Sequence, residues 1–166
     1  MLRLPSAPLR IERVLWGRGI LHVAGVDEAG RGCLAGPVVA ATVIWKDGIP
    51  DEGIRDSKRL SAGQRERLLV HIEAEADAYA VGISSNEEID KLNILNASLL
   101  AMARAVEALK LKPQYCLIDG NRAPASLSIP LRTIVHGERR SRAIAPASIV
   151  AKVTRDRIMD QLHADW

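Results

Sequence analysis

The stretch Val23-Ala24-Gly25-Val26-Asp27-Glu28-Ala29-Gly30-Arg31-Gly32 places two adjacent carboxylates at the end of an apolar run and follows them at once with Gly-Arg-Gly. A short apolar run bounded by glycines predicts a buried strand, His22 to Asp27. Successive strand residues alternate faces, so Asp27 and Glu28 share a direction only if the strand ends or turns there. Gly30 and Gly32 supply a turn and leave backbone N–H groups uncovered, which suits close approach of a phosphate or sugar hydroxyl. Arg31 adds a fixed positive charge. The competing reading of this segment alone is an ordinary strand end with a solvated acidic pair and a glycine loop.

Outward from this point the chain alternates strands and helices. A second strand, Val38 to Trp45, is reached through a loop short enough to favour an antiparallel pair. Ser61 and Gln64 have capping-box spacing and open a helix expected to bury Leu68, Leu69, Ile72 and Ala76. Tyr79 to Ser84 alternates as a third strand, and one long helix is expected from about Leu92 to Leu109, with Leu95, Leu99, Met102, Val106 and Leu109 along one stripe. Tyr115 to Gly120 is a buried strand ending in a third carboxylate, Asp119, again followed by glycine. Arg132 to His136 is a fifth strand running into Gly137-Glu138. A last helix starts near Pro146, where proline is tolerated in the first turn, and is expected to bury Ile149, Val150, Val153, Ile158 and Leu162. Residues 1 to about 20 carry Pro5 and Pro8 and no clean periodicity, which predicts a poorly ordered lead-in before one domain over residues 21–166.

The 166 residues suffice for one core, with 48% hydrophobic and 26% charged residues. Aromatics are 3% and phenylalanine is absent, so that core is aliphatic. Cys33 and Cys116 stand far apart with no histidine or cysteine partner at ligand spacing, which argues against a zinc site or a disulfide scaffold and suits a reduced, cytoplasmic setting. No apolar run approaches the roughly 20 residues of a membrane span. Charge is uneven: from Arg104 to Trp166, eleven basic residues face six acidic ones, a net +5 in a chain of net +3. That asymmetry suits a polyanionic partner, although a solvated basic face is the common alternative.

Asp27/Glu28, Asp119 and Glu138 each sit at or just past a predicted strand end, and in an α/β sheet such ends can converge on one rim. Clustered carboxylates repel and raise one another's pKa unless a cation is present. Mg²⁺ or Mn²⁺ prefers oxygen ligands, and two such ions about 4 Å apart can activate water and stabilise the leaving oxygen in phosphodiester hydrolysis. The competing carboxylate chemistry, glycoside hydrolysis, ordinarily comes with aromatic platforms for sugars, and those are nearly missing here. Loop solvation of Asp119 and Glu138 is the bland alternative.

Six ordered blocks carry a resemblance to one family: residues 25–32, Leu34-Ala35-Gly36-Pro37-Val38-Val39-Ala40-Ala41, Asp56-Ser57-Lys58-Arg59-Leu60, Leu92-Asn93-Ile94-Leu95, Leu117-Ile118-Asp119-Gly120-Asn121 and Ala147 to Asp156. The chain resembles type 2 ribonuclease H, bacterial ribonuclease HII, over about residues 22–163. The resemblance implies a ribonuclease H-like fold, a five-stranded mixed sheet flanked by helices. It implies a monomer that cleaves the RNA strand of RNA–DNA hybrids and cuts at single ribonucleotides in duplex DNA with Mg²⁺ or Mn²⁺. By matching positions, Asp27, Glu28 and Asp119 are metal-binding catalytic carboxylates, Gly30, Arg31 and Gly32 form the loop that senses the 2′-OH, and Lys58 contacts a backbone phosphate. Glu138 stands where the family has aspartate and is expected as a fourth catalytic carboxylate with altered reach. Cys33 replaces a proline and Pro146 an alanine. The family continues beyond the position of Trp166 with a tyrosine that stacks on the sugar beside the cut, a place Tyr79 and Tyr115 cannot take. A weakly active or inactive hybrid-binding module of the same fold is therefore the alternative function; three retained carboxylates, of no use to a pure binder, favour the enzyme.

Overall fold

A computed structural model of the chain describes residues 9–33, 35–45 and 60–164. Strands β1 (Val23–Ala29), β2 (Val38–Ile44), β3 (Ala78–Ser84), β4 (Tyr115–Asp119) and β5 (Leu131–Ile134) form one sheet in the order β3-β2-β1-β4-β5. The short loop after β1 gives the antiparallel pairing with β2, and β2 pairs antiparallel with β3. β4 lies parallel to both β1 and β5, so the sheet is mixed and β1 is its centre.

Helices cover both faces of the sheet. On one face lies α4 (Ile94–Glu107), against β1, β2 and β3; on the other, α6 (Ile144–Ala164) packs on β1 and β2, with α2 (Ala62–Glu75) over it. Side-chain alternation divides the core accordingly. Ala24, Val26, Cys116 and Ile118 pack towards α4, while Val23 and Leu117 pack towards α6. The α4 layer sits close because Ala97, Ala101 and Ala105 are fully buried there and Gly82 in β3 has no side chain: a Cβ at Gly82 would lie 2.2 Å from the Ala101 carbonyl oxygen. Of the expected stripe, Met102, Val106 and Leu109 are buried, whereas Leu95 and Leu99 are half-buried.

Several expectations change. The helix expected from Leu92 to Leu109 begins at Ile94, as α4, because Asn93 adopts φ 68° and caps it, its side chain accepting from the Asn96 N–H at 3.1 Å; before it a further helix, α3 (Asn86–Leu92), occupies polar sequence that reads as a turn. Ser85 and Glu88 form a capping box that starts α3, and Glu88 makes a two-pronged ion pair to Arg104 of α4 at 2.7 and 2.8 Å. The Ser61/Gln64 capping box of α2 forms, with Leu69 and Ile72 buried and Leu68 and Ala76 half-buried. In α6, Ile158 is half-buried and Leu162 exposed, since the helix runs past the sheet. The lead-in also needs correction: within residues 1–20, a helix α1 spans Arg10–Trp16 and fixes Leu15 in the core and Glu12 at zero exposure. Its packing is tertiary, and a seven-residue helix carries too little periodicity to announce itself. Cys33 and Cys116 are both free thiols, and burial pushes that of Cys116 up to about 12. Among the described residues no helix is long and apolar enough to cross a membrane.

Candidate active site

Parallel register sets the first two carboxylates side by side. Val26 pairs with Ile118, so Asp27 and Asp119 follow at one level on adjacent strands, both on the α6 face. The third arrives through a turn: His136 adopts φ 57°, which starts α5 (Gly137–Arg140) immediately after β5. This swings the Gly137 N–H onto the Asp119 carboxylate, which accepts it through Oδ1 at 2.5 Å. A side chain at Gly137 would meet Asp119 Oδ1 at 3.0 Å and Ile144 Cδ1 at 2.5 Å, so glycine permits the approach. The next residue is Glu138, in a helix rather than a loop and 6% exposed.

Asp27, Asp119 and Glu138 each present a carboxylate oxygen within 4.8 Å of the other two, and among the described residues they are the one such group. Asp27 is buried, and its Oδ1 accepts the Glu28 N–H at 2.7 Å. Burial pushes the Asp27 pKa well up, and the charges of Asp119, Glu28 and Glu138 push it further. Three oxygen donors under mutual repulsion fit a hard divalent cation.

Glu28 is not part of that group. β1 continues to Ala29, so alternation sends Glu28 to the opposite side from Asp27. Its Oε1 lies 3.8 Å from the exposed Arg31 guanidinium, and its Oε2 is buried with no hydrogen-bond partner among the described residues. Burial, and then the Asp119 charge, raise its pKa; Arg31 opposes this. Glu28 therefore borders the cluster, within the field of Asp119.

The Gly-Arg-Gly segment sits beside the carboxylates on a loop held from α6. Arg155 is buried and donates from Nε to the Pro37 carbonyl at 3.0 Å and from Nη2 to that of Ala35 at 2.7 Å. Gly30 has φ 104°, and a Cβ there would meet Arg155 Nε at 2.5 Å and the Pro37 oxygen at 2.7 Å; a Cβ at Gly32 would meet nothing within 4 Å among the described residues. Sequence reasoning assigned Arg155 no role. Its only trace is an arginine at a position of α6 otherwise filled by apolar residues. A cleft of about 280 Å³ opens between this loop and α3, lined by Gly30, Cys33, Gly36, Asn86 and Asp90 among others. Lys58 lies outside the described residues.

A family model described as Ribonuclease HII matches residues 24–165. Ribonuclease HII of Desulfitobacterium hafniense is 53% identical over 157 residues, covering 95% of this chain and 60% of that protein. Ribonuclease HII of Thermotoga maritima is 56% identical over 141 residues, covering 85% of this chain and 57% of that protein. The chain thus spans about 60% of the length of these relatives. The solved ribonuclease H2 from Pyrococcus horikoshii OT3 superposes with a TM-score of 0.75 at 30% identity, over 84% of this chain and 74% of that one. The mixed five-stranded sheet with its flanking helices is the ribonuclease H-like fold, and the chain belongs to the ribonuclease HII family.

Proposed function

We propose that this chain is a metal-dependent endoribonuclease that hydrolyses the RNA strand of RNA–DNA hybrids and cuts at ribonucleotides embedded in duplex DNA. The observation that carries this reading is the convergence of Asp27, Asp119 and Glu138, within 4.8 Å of one another, in a chain of the ribonuclease HII family. Asp27, Asp119 and Glu138 would hold Mg²⁺ or Mn²⁺, with Glu28 at the edge of the same field. Divalent ions there, two of them in this reading, supply positive charge that makes water acidic enough to attack a phosphodiester and stabilises the departing oxygen. The protein's own groups orient the site. The Gly137 N–H fixes the Asp119 carboxylate, the Glu28 N–H fixes that of Asp27, and the apolar strands behind both exclude bulk water. Gly32, exposed and unobstructed, presents backbone to a ribose 2′-OH, the group that separates RNA from DNA, while Arg31 faces the polyanion. Lys58 is assigned to a substrate phosphate on the family pattern.

The test is a labelled DNA duplex carrying one ribonucleotide, beside an RNA–DNA hybrid and a plain DNA duplex, each with Mg²⁺, Mn²⁺ or EDTA. Cutting of the first two alone, and only with metal, is the expected result. Tight binding without cutting would replace the enzyme by a hybrid-binding module.

A further inference from the structure

Glu12 is a fully buried carboxyl in α1, outside the segment that matches the family model. A buried carboxyl is costly unless its oxygens find donors. Here Oε1 accepts from the Ser141 hydroxyl at 2.6 Å and from the Ala143 N–H at 2.9 Å, whereas Oε2 has no hydrogen-bond partner among the described residues. Leu15 gives α1 a second, apolar anchor in the aliphatic core.

The residues that Glu12 grips are the corner between α5 and α6. The Ser141 N–H bonds to the Gly137 carbonyl at 2.8 Å and its hydroxyl accepts from the Ile144 N–H at 3.3 Å, so this corner ends one helix and starts the next. From the far side the corner is pressed onto β1. A Cβ at Gly25 would fall 1.8 Å from the Ala143 carbonyl oxygen, so only glycine admits it, two residues before Asp27. The corner is therefore clamped between Glu12 and Gly25, and Glu138 lies three residues before it on a four-residue helix with no stiffness of its own.

We propose that Glu12 is a positioning residue for the metal site: through Ser141 and Ala143 it sets where Glu138 meets Asp27 and Asp119. This rests on the metal-site reading above. The test is direct Mn²⁺ binding, followed by the electron paramagnetic resonance signal of free Mn²⁺, together with the Tm in EDTA. Glu12→Ala should weaken Mn²⁺ binding by about 10-fold, the lower end of what loss of a ligand-orienting partner costs. Glu12→Gln keeps an accepting oxygen and should stay within about 3-fold of the parent. Leu15→Ala loosens α1 but keeps the Glu12 carboxylate, and should lower the Tm while weakening Mn²⁺ binding much less than Glu12→Ala does. Should Glu12→Ala fail to fold, Ser141→Ala removes one of the two contacts and should still weaken binding several-fold. Parent-like Mn²⁺ binding in folded Glu12→Ala or in Ser141→Ala, or equal weakening in Leu15→Ala, would overturn the assignment. A parent chain that binds no Mn²⁺ would overturn the metal site itself and this inference with it.

Discussion

Asp27 shows how much of a site can be set by one residue's surroundings. Burial first, then Asp119, Glu28 and Glu138, hold its pKa above the ordinary carboxylate value. With a raised folded pKa, the native state keeps a proton that the unfolded chain has released, so metal-free stability falls as pH rises from the unfolded value through the folded one. Asp27→Asn removes this penalty and keeps an oxygen for the Glu28 N–H. In EDTA at pH 7 its Tm should exceed the parent's by about 3 °C or more, which corresponds to roughly 1 kcal/mol in a chain of this size. The gap should close towards pH 4, and cleavage should vanish. A lower Tm than the parent across that pH range would mean that the charges do not crowd as described. The carboxylates at 27, 119 and 138 were legible in sequence as acids followed or preceded by glycine at strand ends. What sequence could not resolve was which of Asp27 and Glu28 faces the others, because that depends on β1 continuing two residues past Asp27.

At the scale of elements, the glycine loop separates two roles that look alike in sequence. Gly30 has φ 104° and no room for a methyl, whereas Gly32 has room, so identical substitutions should have opposite signatures. Gly30→Ala should lower the Tm, at a cost of about 1–3 kcal/mol for strained backbone. Gly32→Ala should leave the Tm within about 1 °C, since surface changes of this kind usually cost under about 0.5 kcal/mol, yet cut cleavage at a lone ribonucleotide about 10-fold. Its binding to plain duplex DNA, measured by fluorescence anisotropy, should change little because that rests on phosphate contacts. Equal loss on both substrates in Gly32→Ala would make the loop structural only. The elements themselves were legible where the pattern is long: five strands and the helices of both faces follow the periodicity. They were not legible where one residue decides, as at Asn93, whose positive φ sets a separate helix, α3, ahead of α4, and at His136, whose positive φ turns a strand end into the helix that carries Glu138. The Ser85/Glu88 spacing was the overlooked signal for the first of these.

For the whole molecule, the contact of Gly25 with Ala143 and the meeting of Asp27 with Glu138 join parts of the chain more than 100 residues apart. Contacts of such separation form only when the chain closes long loops, so the site has no local precursor that could exist before the fold does. A ligand of the finished site then acts on escape from the native state: Mn²⁺ should slow unfolding in denaturant jumps and leave the refolding rate within about 2-fold. Faster refolding with Mn²⁺ would show that the carboxylates gather before the main barrier. The same separation bears on synthesis. At roughly 5–20 residues per second, Asp27 leaves the ribosome about 5–20 s ahead of Glu138, and until then the three-carboxylate group cannot close.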